Sequence, residues 1–341
     1  MDYLLPGGRG RWRWRAAALA LPPLMVFGLP GAEAQTDAPA AAPTVIAAGD
    51  IAKCGLPGAE KTAALIDSLP GTVLPLGDLA YEDGTKSEFD NCYTPTWGRF
   101  RDRSRPTTGN HEYNQKGASP YFDYWGEAAG DRTKGYYSFN VGEWHLISLN
   151  STCSAAGGCS KGSPMEQWLR EDLAANRSRC ILAYWHHPRF FTASRSPGGS
   201  KPPAADRKFI AMWAALMEGG ADVVLSGHRH VYERFARQDA NGNAAPNGIR
   251  QFIVGTGGGV LDQFEGPTAP NSELRKAGTY GVLELTLHPD RYDWRFVAAD
   301  GDPFTDSGTD GCGDPPPAPD APQPGPPPAE PKPQPSSSPA G

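Results

Sequence analysis

The sequence predicts an α/β domain built as a four-layer α/β/β/α sandwich, two mixed β-sheets packed face to face with helices outside. Two observations carry that prediction. Early in the chain, apolar runs of strand type alternate with helical patterns, and later a run of strands follows with no helix between them. Between two segments rich in Pro and Ala lie about 270 residues, 44–313, the length of one large α/β domain, with no internal repeat.

Strands are expected at Thr44–Ala48, Thr72–Leu76, Tyr136–Phe139, Trp144–Leu149, Cys180–Trp185, Asp222–Leu225, Arg250–Val254, Gly281–Leu287 and Tyr292–Val297. Two helices are signalled. Ser163-Pro164-Met165-Glu166 reads as a capping box with Pro at the first helical position, after which Met165, Trp168, Leu169 and Leu173 line one face. A second helix runs from Asp206 to Glu218, with Phe209, Ile210, Trp213, Leu216 and Met217 inward and Gly219-Gly220 ending it.

The flanks read differently. Arg9, Arg11, Arg13 and Arg15 precede an apolar run from Ala16 to Gly31 and then Ala32-Glu33-Ala34, the pattern of a secretory leader spanning residues 1–34. That run is shorter than the ~20 residues a membrane span needs and is broken by Pro22, Pro23 and Pro30, so stable membrane insertion is not expected. Residues 35–43 form a linker, and 314–341 a Pro-dominated tail with too few large apolar residues to offset its ordering entropy. Removing the leader takes four arginines and two acids from 32 basic and 38 acidic residues, leaving a net charge of −8. With that acidic balance and no continuous Lys/Arg run to neutralise a phosphate backbone, nucleic acid is not expected as a partner.

Six cysteines without a C-x-x-C pair, in a chain bound for an oxidising compartment, point to disulfides rather than a zinc site. Cys153 and Cys159 bracket a short Gly/Ala/Ser loop and are expected to close it. Cys54 and Cys92 each follow a strand or helix that carries a polar motif, which leaves Cys180 with Cys312.

Those motifs hold the functional signal. Asp50 ends the first strand, Asp78 the second, and Asn110-His111 follow Arg105-Pro106-Thr107-Thr108-Gly109. His186 and His187 end Cys180–Trp185, and His228 and His230 follow Asp222–Ser226. Metal-type donors at five segment ends can converge on the crevice at the carboxyl edge of a sheet. Gly49, Gly77, Gly109 and Gly227 each precede the polar residue and read as the turn that aims it. Five of the seven histidines fall in these motifs, whereas His145 and His288 read as strand and turn residues.

With these residues in view, the chain resembles the calcineurin-like metallophosphoesterases over nearly all of residues 44–300. The family pattern is matched by Gly49-Asp50, Gly77-Asp78, Gly109-Asn110-His111-Glu112, His186 and Gly227-His228-Arg229-His230. Many members carry D-x-H at the first motif, but here the segment is Asp50-Ile51-Ala52, so that histidine is missing. Purple acid phosphatases also lack it and use a tyrosine three residues after the second Asp, which Tyr81 matches. The segment from Gly227 to Arg234 is similar to their last motif. The resemblance implies a dinuclear site at the carboxyl ends of the strands. Asp50, Tyr81 and His230 with shared Asp78 suit Fe(III), and Asn110, His186 and His228 with the other oxygen of Asp78 suit a divalent Zn, Mn or Fe. His186 rather than His187 is the implied ligand, because the family motif reads His-x-Pro and Pro188 sets the register, leaving His187 at the rim.

The implied activity is that of a secreted or periplasmic phosphatase: metal-activated hydroxide attacks the phosphorus of a small-molecule phosphate monoester. His111 is the first candidate for the general acid that protonates the leaving oxygen, with His187 and Glu112 behind it. Two other functions use the same residues, hydrolysis of phosphodiesters or nucleotides and metal binding without catalysis. Gly255-Thr256-Gly257-Gly258-Gly259 lacks the Lys-Ser/Thr of a P-loop and reads as a turn between late strands. The short linker before Thr44 leaves no room for the fibronectin-like domain of the plant enzymes, and the loops Thr192–Pro203 and Ser151–Ser163 are expected to supply a substrate wall instead.

Overall fold

A computed structural model describes residues 41–195 and 206–313; the leader, most of the linker, the tail and most of the loop Thr192–Pro203 lie outside them. Two mixed sheets form the centre. The first runs in the order Thr305–Gly311, Arg291–Ala298, Gly281–Leu287, Thr44–Ala48, Thr72–Pro75. The second runs Ser272–Lys276, Tyr232–Phe235, Arg250–Val254, Val223–Ser226, Cys180–Tyr184, Trp144–Ser148, Tyr137–Val141.

Period-two alternation decides the layers. Leu146, Leu182, Leu225 and Phe252 share one core with Val45, Leu283 and Leu285 of the opposing sheet. Their chain neighbours Ile147, Ala183, Val224 and Ile253 belong to a second core, with Met165 and Leu169 of the helix Pro164–Ala175 and Met212, Trp213 and Leu216 of the helix Ile210–Glu218. On the far side of the first sheet, the helix Gly58–Asp67 packs against Gly281–Leu287 and buries Ala59, Ala63 and Ile66. The layers are therefore helix, sheet, sheet, helices.

Every expected strand is present with ends shifted by at most two residues. Others escaped the pattern. Thr305–Gly311 has no large apolar residue, yet it pairs along Arg291–Ala298 and its acids meet arginines on neighbouring strands. Asp306 accepts from Tyr232 Oη at 2.7 Å and from Arg234 Nε at 2.7 Å, and Asp310 from Arg237 Nε at 3.0 Å and Arg250 Nε at 2.9 Å. The capping box at Ser163 is only half formed: Ser163 Oγ accepts from Glu166 N, but the Glu166 carboxylate takes the N–H of Gly162. The second helix opens with a 3-10 turn, Arg207–Phe209, which rotates the following α-helix so that Met212 and Ala215 are buried while Ile210 and Met217 are half exposed.

Three disulfides join the pairs read from the sequence, Cys54–Cys92, Cys153–Cys159 and Cys180–Cys312. No helix among the described residues is long and apolar enough to cross a membrane.

Candidate metal centre

The strands Thr44–Ala48 and Thr72–Pro75 run parallel in one sheet, and Cys180–Tyr184 and Val223–Ser226 run parallel in the other. Their carboxyl ends meet where the sheets adjoin: Gly49 N–H bonds Val254 O at 2.8 Å and Gly227 N–H bonds His186 O at 3.0 Å. The sequence assigns the sharp turns to the glycines, but the structure gives most of them to the polar residues themselves. Asp50, Asp78 and His228 hold φ of 61°, 51° and 66°, three of the six positive-φ non-glycine residues among those described. Such strain persists only where surrounding structure enforces it, commonly at functional sites. The glycines serve chiefly by lacking a side chain, since a Cβ at Gly109 would lie 2.1 Å from Asp78 Oδ1 and one at Gly227 would lie 2.6 Å from Asp50 Oδ2.

All seven residues expected as donors come together. Tyr81 Oη lies 2.9 Å from Asp50 Oδ1, 3.3 Å from Asp78 Oδ2 and 3.1 Å from His230 Nε2, and His230 Nε2 lies 3.1 Å from Asp50 Oδ1. On the other side of Asp78, its Oδ2 is 3.0 Å from His186 Nε2, which lies 3.2 Å from His228 Nδ1. Asn110 sits between Gly109 and His111, both of which touch Asp78, and its Oδ1 is buried with no hydrogen-bond partner. A buried amide oxygen left unpaired beside crowded carboxylates is a site built for a cation. The two groups of donors, joined at Asp78, fit two ions.

Outer contacts orient these donors. His186 donates Nδ1–H to Leu76 O at 2.8 Å and His230 donates Nδ1–H to Val260 O, which turns Nε2 of each towards the centre. Burial alone would raise the Asp78 carboxyl, but the charges and hydrogen bonds of His186 and His111 hold it well below the usual range. Burial pulls His186 down while Asp78 lifts it, to about 9, and Asp50 does the same to His230. Burial and the charges of Asp50 and Asp78 push the Tyr81 phenol upward, so a phenolate there calls for a cation.

His111 lies at the mouth. Its backbone N–H bonds Asp78 Oδ1 at 2.9 Å, its Nδ1 meets Glu82 O, and its ring stands edge-on to Tyr81 at 4.6 Å. His187 is half-buried with its ring 4.2 Å from that of His228. Ser151 Oγ accepts the His187 backbone N–H at 3.1 Å and lies 2.8 Å from its Nδ1, which holds the ring in place. Burial, then the charge of His186, pushes His187 down to about 3, so its ring is neutral. Glu112 faces inward: its carboxylate accepts the backbone N–H groups of Asp78, Leu79 and Gly109 at 3.0, 2.7 and 2.7 Å.

Sequence reasoning overlooked the supports. Gly259 N–H bonds Asp50 O at 2.7 Å and Gly257 N–H bonds Gly49 O at 2.9 Å, so the Gly255–Gly259 run is a shelf behind Asp50 rather than a plain turn. A Cβ on Gly257 would come within 2.5 Å of Gly49 O. Asp262, which accepts from His230 N and Ser194 Oγ, gave no signal beyond following that run.

The sequence profile of the calcineurin-like phosphoesterases matches residues 43–232. The chain belongs to that family. Among individual relatives, this calcineurin-like phosphoesterase is 28% identical over 271 residues to purple acid phosphatase 18 of Arabidopsis thaliana, covering 72% of the chain and 56% of the relative. It is 27% identical to the Fe(3+)-Zn(2+) purple acid phosphatase 12 of the same plant, covering 67% and 55%. The chain spans about half the length of these relatives. Its fold is shared with a purple acid phosphatase from yellow lupin seeds, at TM-score 0.61 and 17% identity over 78% of this chain and 53% of that one. It is also shared with the anchor of the Plasmodium inner membrane complex, at TM-score 0.58 and 13% identity over 78% and 88%.

Proposed function

We propose that the chain is an exported phosphatase that hydrolyses small-molecule phosphate monoesters at a pair of metal ions. The observation that supports this most is the gathering of six donors around Asp78, with the Asn110 oxygen among them buried and unpaired. Asp50, Tyr81, His230 and Asp78 would hold Fe(III), and Asn110, His186, His228 and Asp78 a divalent Zn, Mn or Fe. Similarity to an Fe(3+)-Zn(2+) enzyme supports that pair. When bound, the ions supply Lewis-acid charge for the phosphoryl oxygens and lower the pKa of a water to near neutral.

The chain's own residues then divide the remaining work. His111 N–H fixes the Asp78 carboxylate while its ring, anchored through Nδ1 at Glu82 O, holds Nε2 at 3.7 Å from Asp78 Oδ2, placed to give a proton to the leaving oxygen. Neutral His187, held by Ser151, offers a hydrogen bond to the substrate rather than a proton. Glu112 holds the Asp78 and Gly109 backbones in register.

Metal-loaded protein should hydrolyse nitrophenyl phosphate and lose that activity when stripped. His111→Ala should slow alkyl phosphates about 10²–10⁴-fold and nitrophenyl phosphate much less, because nitrophenolate leaves without a proton. Faster hydrolysis of diesters than monoesters would move the assignment to a phosphodiesterase, and equal losses for both leaving groups would remove His111 from its role. The three disulfides and the leader pattern support export, which predicts a mature chain beginning at Gln35.

A further inference from the structure

Among the described residues, one cation near the centre, Arg229, makes no ion pair with the carboxylates around it. Arg229 stands between His228 and His230, on a segment tightened by Arg229 N–H to Gly227 O at 2.8 Å and Val231 N–H to Arg229 O at 2.6 Å. Its guanidinium lies over the Phe191 ring, 4.5 Å from the centroid, and its Nε is buried with no hydrogen-bond partner. The carboxylates around it are engaged elsewhere. Asp50 faces Tyr81, His230 and the His228 N–H; Asp262 takes His230 N and Ser194 Oγ; Asp206 caps Lys208 N and pairs with Lys208 Nζ.

The position is rigid. Phe191 is 2% exposed, and the chain on either side of it is clamped from the sheet, by Gln251 Oε1 on Phe190 N at 3.2 Å and by Glu233 on Thr192 N at 2.8 Å. A guanidinium stacked on an aromatic face keeps its in-plane N–H fork free, the geometry that takes a phosphate in bidentate fashion.

We propose that Arg229 binds a second phosphate on the substrate, beyond the one being cleaved, so that the site favours phosphoanhydrides and bisphosphates over esters with a single phosphate. The proposal rests on the phosphatase reading and narrows its substrate class. An isolated half-buried cation is costly until an anion pairs with it, which places the gain in binding and therefore in KM.

The test compares inorganic pyrophosphate with nitrophenyl phosphate on the full, metal-loaded chain and on Arg229→Gln and Arg229→Lys. A hydrogen-bonded charge pair predicts that Arg229→Gln raises KM for pyrophosphate roughly 10–100-fold while KM for nitrophenyl phosphate moves less than about threefold. Arg229→Lys keeps the charge without the fork and should fall between; if the Gln variant does not fold, this variant carries the same comparison. Equal changes on both substrates overturn the proposal. A wild-type chain active on nitrophenyl phosphate but not on pyrophosphate also overturns it and leaves the phosphatase reading standing. A chain active on neither overturns both.

Discussion

Replacing Glu112 tests how the centre is held. Its carboxylate is fully buried and receives three backbone N–H groups, from Asp78, Leu79 and Gly109. Glu112→Ala strips all three donors of their acceptor in a space that water does not reach, at about 1–3 kcal/mol each, so the sum is roughly 3–9 kcal/mol. A domain of ordinary stability, about 5–15 kcal/mol, would be left marginal or unfolded. Glu112→Gln keeps the shape and one oxygen but turns an NH2 group towards at least one backbone N–H, so the loss should be about 1–3 kcal/mol. Urea unfolding with disulfides intact measures both. Because the clamp sets the Asp78 turn, metal content should fall along with stability in the Gln variant. A Glu112→Ala protein within about 1 kcal/mol of wild type, with full metal content, would refute the clamp.

Three further outcomes follow from other parts of the structure. Tyr81→Phe should abolish a visible tyrosinate-to-iron absorption band and lower iron content while sparing the divalent ion, and an unchanged spectrum would exclude Tyr81 as a ligand. Asp222, 1% exposed, is pushed up by burial to about 6 from 3.8 despite the N–H groups of Ile181 and Gly313. The stability linked to its protonated form is thus fully present below pH 3.8 and lost as pH rises through about 6, at most roughly 3 kcal/mol, and Asp222→Asn should flatten that slope in unfolding measured across the window. Opening Cys180–Cys312, which spans 132 residues, should cost about 5 kcal/mol against about 2.5 for Cys153–Cys159, which spans 6, by paired Cys→Ser variants under thermal unfolding.

Four of the seven donors were legible because Asp50, Asp78, His186 and His228 closely follow strongly apolar strands, whereas Tyr81 was read from the resemblance. The runs before Asp50 and Asp78 lie wholly within one core, whereas those before His186 and His228 alternate between two. Thr305–Gly311 was not legible, because its strand character comes from pairing with Arg291–Ala298 and from arginines on other strands that answer Asp306 and Asp310. Gly255–Gly259 was visible as a run, but its purpose depends on how closely Gly49 and Asp50 approach it, a distance that spacing along the chain does not encode. Glu112 was read as a spare acid; only its three inward backbone contacts show it to be a support.

The central claim is that Asp78 joins two cations held by donors from five segments. Crystals of the purified, metal-loaded protein measured at the iron edge and at the edge of the divalent metal would test it most directly. Two anomalous peaks ~3.5–4 Å apart are predicted, one on each side of the Asp78 carboxylate, with iron on the Tyr81 side and the other ion beside Asn110. A protein that cleaves phosphate esters with no anomalous peak beside Asp78 would contradict it.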